Sequence, residues 1–240
     1  YGAVNRCNYV IENITNKMLP SASGAKLAAL ESIIAEARLL RGMTYFRLIS
    51  MWGDVPYIDK IIYSNSEVSS IERTNIKVVK DAILADFDYA VAKLPAKNAV
   101  LGRAAKPAAL AFRGKLNLFW GSWKKNGWPE LEGFKQDQAE AQAAFTASAA
   151  DFKSVINDFG LTLYKNGDPG QIDSLGRAEI LPNYFELFTP KANGNPEMIM
   201  VFTHSGTPTT PSQGEELMRD FSGRTVEGSQ VWVLPYFELA

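Results

Sequence analysis

The segment from Gly24 to Trp52 constrains the fold more than any other part of this chain. No proline interrupts it. Leu27, Leu30, Ile34, Ala37, Leu40, Leu48 and Trp52 recur mostly at spacings of three and four, the period of a helix face. From Leu39 onward, Met43, Tyr45, Phe46, Ile49 and Met51 occupy the other faces as well. A helix that is apolar nearly all round is buried nearly all round, so this one is expected between other helices. Gly53 is expected to end it, with Asp54 and Pro56 in the turn beyond.

Three further long helices and a partial one follow from the same periodicity. A first helix covers Ala3 to Met18, with Val4, Val10, Ile11 and Ile14 as its apolar positions. Ile76, Val79, Ile83, Phe87, Ala90 and Leu94 define a helix from about Asn75 to Leu94, with Thr74 as its expected N-cap and Pro95 closing it. Ala105, Ala108, Phe112, Leu116, Phe119 and Trp123 define one from about Ala104 to Lys125, with Pro107 tolerated in its first turn. Phe145, Ala149, Phe152, Ile156 and Phe159 define one from about Lys135 to Phe159, Ala-rich in its middle and closed by Gly160. The texture then changes. From Leu161 to Ala240, Gly, Pro, Ser, Thr and Asn dominate. The apolar runs Met198–Phe202 and Val231–Leu234 read as strands or short pieces in an irregular lobe, Pro182–Phe188 as a short helix, and Ser205–Gln213 as a loop. The expected organisation is a helical part over residues 1–160 and the start of an irregular, loop-rich lobe over 161–240.

Composition removes much chemistry from consideration. Lys and Arg number 25 against 26 Asp and Glu, which argues against a nucleic-acid partner. One cysteine, Cys7, and one histidine, His204, cannot assemble the common zinc sites or a disulfide framework. No cofactor is expected. No apolar run is long enough for a transmembrane helix, and no secretory leader is visible at the start. The chain opens at Tyr1, inside a helical pattern, and reads as a fragment or processed chain.

The titratable residues read as structural. Asp86 and Asp88 flank Phe87, and positions two apart on a helix do not face each other, so they suit ion pairs better than catalysis. Arg38, Arg41 and Arg47 lie on the buried helix. At least one of them needs a carboxylate, for which Asp54, Asp86 and Glu36 are the candidates. Cys7 reads as a small buried hydrophobe and His204 as a loop residue. Gly121, Gly127 and Gly133 form no phosphate-binding fingerprint. Among the aromatics, Trp52, Trp120 and Trp123 fall on helical stripes and are expected as core or helix-packing residues. Trp128, Trp232 and Tyr236 fall in loops. They are the candidate ligand-binding residues, because an aromatic face with a polar handle complements a sugar ring. Sealing the irregular lobe onto the helices is their alternative use.

The stretch Ala35–Asp59, AEARLLRGMTYFRLISMWGDVPYID, resembles the signature of the SusD/RagB family of outer-membrane nutrient-binding lipoproteins, a helix with an EAR–LR–YF–L run that exits through GDVP. Further matches follow in the family's order. Val4, Arg6, Asn8, Val10, Ile11 and Ile14 match its first helix. Ile83, Asp86, Phe87, Ala90, Leu94 and Pro95 match its I-x-x-D-[LF]-x-x-A-x-x-x-LP helix, and Gly102–Ala109 its GRATK-x-AA helix start. Phe152–Leu161 is similar to a V-I-x-x-[YF]-x-L helix end. Tyr184, Leu187, Phe188, Asn195, Glu197 and Ile199 resemble its Y-x-x-LF and N-x-E-x-I pieces.

The resemblance implies a mainly α fold, a right-handed superhelix of tetratricopeptide-like helix pairs with an irregular loop-rich lobe. It implies non-catalytic capture of oligosaccharides, or in some members peptides, for import through a SusC-like TonB-dependent transporter. It implies a lipid anchor at the cell surface, whose cysteine is not in this chain; Cys7 is not that cysteine. On this reading the signature residues are structural, and the ligand lies in the loop-rich half. Two alternatives stand beside it. One is a helical-repeat scaffold for another protein. The other is a glycoside-acting enzyme using Glu215 and Glu216, which is disfavoured because adjacent carboxylates seldom straddle a bond.

Overall fold

The computed structural model describes residues 1–97, 99–100, 102–128, 130, 135–164, 187 and 194–202. The chain divides into two compact units, Tyr1–Val201 and Phe202–Ala240; the description below concerns the first.

Five α-helices build it: α1 (Gly2–Asn13), α2 (Gly24–Trp52), α3 (Ile76–Lys93), α4 (Lys106–Asn126) and α5 (Gln138–Asp158). α1 runs on through one π turn, Ile14–Met18, and a 3-10 turn, Leu19–Ser21, so helical backbone reaches Met18 as the periodicity predicts. α2 has the bounds read from the sequence. Gly53 ends it at φ +68°, donating its N–H to the Ile49 carbonyl at 3.1 Å. A side chain there would be strained, which is why this position favours glycine. Each helix packs chiefly on its neighbours in sequence, and α2 also touches α4. The result is a helical-repeat architecture with a main core and a smaller cluster around Ile14, Leu30 and Ile34. Val4, Leu39, Tyr45, Ile83, Phe87 and Leu116 are all essentially sealed from solvent within the main core.

Glycines set the close approaches. A Cβ at Gly42 of α2 would lie 2.6 Å from the Phe87 ring of α3. At Gly114 and Gly121 of α4 it would meet Phe152 and Phe145 of α5 at 2.9 and 2.8 Å. The missing side chains let each aromatic ring lie against bare backbone. Ser148 adds a hydrogen bond from its hydroxyl to the Gly114 carbonyl, 2.9 Å.

Several expectations need correction. Ile33, Leu40, Met51 and Trp52 are 38%, 37%, 63% and 66% exposed and Arg47 is exposed as well, so α2 keeps one side open to solvent along its length and is not enclosed all round as the sequence predicts. Trp52 is therefore not a core residue. The cap of α3 is Asn75, whose side chain accepts from the Lys77 N–H at 2.9 Å; Thr74 instead pairs through its backbone with Val55. The buried stripe of α5 is Ala141, Ala144, Ser148, Asp151 and Val155, while Ile156 is 68% exposed and Ala149 is also exposed. Ser148 and Asp151 are polar and were invisible to an apolar-periodicity reading. Of the two readings of Met198–Phe202, a strand or a short irregular piece, the structure has the second. The single β pairing among the described residues is the isolated Val55–Thr74 bridge. The Val231–Leu234 run and the Ser205–Gln213 loop lie outside the described residues, as does all of Pro182–Phe188 except Leu187, which is helical.

Candidate functional site

The residues of the EAR–GDVP signature hold the helices together. Arg41 of α2 donates from Nε and Nη2 to both carboxylate oxygens of Asp86 on α3, at 2.8 and 2.7 Å. Its Nη1 donates to Asn8 Oδ1 of α1 at 2.8 Å. Asn8 in turn donates to the Ile58 and Lys60 carbonyls, at 3.0 and 2.8 Å. One guanidinium thus joins three helices and, through Asn8, the strap beyond α2. Tyr45 clamps the same strap: its hydroxyl accepts from the Ile58 N–H at 2.7 Å and donates to the Ile58 carbonyl at 3.1 Å. Burial pushes the Tyr45 phenol up, so it stays protonated and able to do both. Asp54 accepts from the free Ile76 N–H at the start of α3, 2.8 Å. Glu36 pairs with Arg103 at 2.9 Å. The expected carboxylate partner of the buried arginines is therefore Asp86.

Asp88 is engaged too. Arg113 of α4 reaches Asp88 on α3 at 2.8 Å and Asp151 on α5 at 2.6 Å, which raises the guanidinium pKa chiefly through the Asp151 hydrogen bond. Cys7 is buried and its thiol is pushed up by that burial, so it is inert packing.

The aromatics form a row toward one end of the bundle. Phe46 of α2 meets Phe119 of α4 edge-on, with ring centroids 5.5 Å apart. Phe119 meets Trp123 at 6.4 Å, and Trp123 meets Trp128 at 5.0 Å. Trp128 lies just past Gly127 and is 44% exposed, so its indole is braced on one side and open to solvent elsewhere. Trp123 is only half-buried, because it is the brace for this ring. Trp120 is the true core residue of the group. Its Nε1 donates to Glu140 at 2.7 Å, and the Lys80 and Lys124 ammoniums lie 5.0 and 5.4 Å from its ring centroid.

Burial alone would raise the Glu140 carboxyl, but hydrogen bonds from Lys124 and Trp120 outweigh it and hold the pKa below the usual carboxylate value. The group therefore adds stability above that usual value, and the contribution disappears as pH falls through the lowered one. Glu140→Gln is expected to shrink the loss of urea stability between pH 6 and pH 3, measured by Trp fluorescence; about the same loss as in the parent would contradict this.

At the opposite end lies an open cleft of about 400 Å³. Val100, Arg103, Pro107, Phe159, Leu161 and Met200 are among its lining residues, so it joins the start of α4 and the end of α5 to the returning 194–201 segment. That segment is pinned by the Tyr164 N–H on Glu197, 2.7 Å, and the Thr162 N–H on the Pro196 carbonyl, 3.2 Å. Among the described residues no group of His, Cys, Asp and Glu is arranged to hold a metal.

Of the three sequence-derived ligand candidates, Trp128 is the one on view. Trp232 and Tyr236 lie outside the described residues, as do His204, Glu215 and Glu216. The exposed Trp52 was missed as a surface aromatic. Its place in the final turn before a helix-ending glycine was the available signal, since the last turn of a helix has fewer neighbours to cover it.

Comparison with known proteins agrees with this architecture. The SusD-like family model described as "Starch-binding associating with outer membrane" matches residues 1–118. SusD-like protein P2 of Formosa agariphila is 32% identical over 94 residues, covering 39% of this chain and 19% of that protein. A SusD-like protein of Bacteroides ovatus is 28% identical over 203 residues, covering 83% of this chain and 31% of that one. A crystal structure with xylogluco-oligosaccharide shares the fold at TM-score 0.62 and 23% identity, over 88% of this chain and 35% of that one. A laminarin-binding SusD-like protein superposes at TM-score 0.57 and 25% identity, over 85% and 36%. The helical fold is thus one shared with SusD-like structures. Residues 1–118 carry the match to the SusD-like family model, and the chain spans about a third or less of the length of these relatives.

Proposed function

We propose that the protein captures oligosaccharides at the face of the bacterial outer membrane, as a lipid-anchored surface protein, and passes them to a SusC-like TonB-dependent transporter without chemical change. The match of residues 1–118 to the SusD-like family model is the observation that carries this reading. The laminarin-binding relative supports the ligand class. In this reading the helices are the frame, and aromatic side chains beyond it, Trp128, Trp232 and Tyr236, stack on sugar rings.

The test is calorimetric titration of the intact protein with a panel of neutral and charged oligosaccharides, including fragments of laminarin and xyloglucan. Saturable binding with the oligosaccharide recovered intact is expected. Trp128→Ala and Trp232→Ala are each expected to weaken binding by about 1–3 kcal/mol, the range for loss of one aromatic stacking platform. No binding across the panel, or products shorter than the input, would count against the proposal. Unchanged affinity in both variants would remove these two residues from the site.

A further inference from the structure

The connection between α2 and α3 runs from Gly53 to Asn75. Neighbouring helices in a bundle are usually joined by about two to eight residues, and much longer ordered connections usually carry function. This one is built, not loose. Its first part, the strap, is held by side chains at helical spacing along α1. Tyr1 Oη, just before α1, donates to the Pro56 carbonyl at 3.1 Å. Asn5 donates to the Ile62 carbonyl and accepts from the Ile62 N–H, at 2.9 and 2.8 Å, beside the Asn8 bonds to Ile58 and Lys60. Beyond Ile62 the loop is held from within. Glu67 accepts from the Tyr63 and Ser64 N–H groups at 3.1 and 2.9 Å, and Ser69 donates to the Ser66 carbonyl at 2.8 Å. The Thr74 N–H closes the base of the loop on the Val55 carbonyl, 2.9 Å.

Between the start of α1 and this loop lies a cleft of about 210 Å³. Tyr1, Asn5, Ile62, Tyr63, Ser64 and Val68 are among its lining residues, and none of the lining side chains is ionised at neutral pH. Tyr1 and Tyr63 are 46% and 79% exposed. The Tyr1 ring is fixed by its bond to Pro56 and by the edge contact with Tyr45, 6.5 Å between centroids. Asn5 spends one N–H and one lone pair on Ile62, and an amide has a second of each. The larger cleft beside the 194–201 segment differs in kind: Lys97 and Arg103 line it, and no tyrosine or tryptophan does. Tyr9 and Trp52 are exposed as well but line neither cleft.

Aromatic faces beside an amide, on an uncharged apolar floor, complement a neutral sugar ring, whose C–H face stacks and whose hydroxyls take hydrogen bonds. An anionic sugar asks instead for a guanidinium or an ammonium. Strap and loop are both pinned, so a ring entering between them and α1 meets a site that is already formed. We propose that this cleft, with Tyr63 as its stacking platform, is a contact subsite for a neutral pyranose ring of the captured oligosaccharide. It rests on the glycan reading above and adds a contact that Trp128 does not line.

The test is calorimetric titration of the intact protein with a panel of neutral oligosaccharides, laminarin and xyloglucan fragments among them, and with oligogalacturonate. Tyr63→Ala is expected to weaken binding of a neutral oligosaccharide about tenfold or more, with an unchanged melting temperature because the side chain is exposed. Tyr63→Trp keeps a stacking face and is expected to bind within about threefold of the parent. Three results would overturn the proposal: Tyr63→Ala that binds the whole panel as the parent does, Tyr63→Trp as weak as Tyr63→Ala, or Tyr63-dependent binding of oligogalacturonate, which would assign the cleft to anionic sugars. In each of these the parent still binds a glycan, so the cleft alone falls. A parent that binds no oligosaccharide at all would bring down the glycan reading and the cleft together.

Discussion

Asp86→Ala is expected to cost about 3–5 kcal/mol of folding stability, read as a fall in the urea midpoint with unchanged slope. The size follows from what is left behind. Arg41 is 6% exposed and gives Asp86 two of its hydrogen bonds, so deleting the carboxylate strands a buried guanidinium with Asn8 as its remaining partner. Arg38 also loses a carboxylate 3.8 Å from its Nη1, although its place over the Tyr89 ring, 4.4 Å from the centroid, remains. Removing both charges is a different experiment. Arg41→Met with Asp86→Leu leaves no ion unpaired, and is expected to recover most of the loss, to within about 1–2 kcal/mol of the parent. Asn8 is the residual cost, because its Oδ1 then lacks a donor. A double variant as unstable as Asp86→Ala alone would show that the pair itself, not the stranded charge, holds α1, α2 and α3 together.

The contrast between Arg41 and Arg47 shows what the sequence made legible. Both lie on α2, and helical periodicity placed both on a largely apolar helix. It also implied that at least one required an acid, with Asp86 among three candidates. Which arginine faces α3 depends on the angle at which α2 meets its neighbours, and that angle is set by contacts remote in sequence. Gly42 is the clearest of these, since it admits the Phe87 ring to the α2 backbone. The same limit explains α5. Its existence and length follow from the apolar period, but its buried stripe is finished by Ser148 and Asp151, which bond to Gly114 and Arg113. Polar residues that are buried because a partner waits for them carry no hydrophobic signal. Trp128 and Trp123 illustrate the candidate site. Local sequence placed one in a loop and the other on a stripe, but their 5.0 Å pairing depends on the turn at Gly127.

Phe87→Ala is expected to destabilise the protein by about 3–5 kcal/mol, the range for emptying a fully buried aromatic site. The ring is 0% exposed and fills the space that Gly42 leaves on α2, with Phe112 of α4 on its other side at 6.3 Å between centroids. Gly42→Ala attacks the same contact from the opposite direction. Its new methyl would lie 2.6 Å from the edge of a fully buried ring, so a cost of about 1–3 kcal/mol is expected from overpacking. If these are two views of one contact, the variants cannot add. Gly42→Ala in the Phe87→Ala background places its methyl in the cavity, and is expected to be neutral or stabilising there. Additive losses in the double variant would mean that the glycine is needed for something other than the ring. The flanking acids give the contact its wider meaning. Asp86 faces α2, Asp88 faces Arg113 on α4, and Phe87 sits between them in the core. Three consecutive residues of α3 thus fix the spacing of α2 and α4, and with it the geometry of the aromatic row that ends at Trp128.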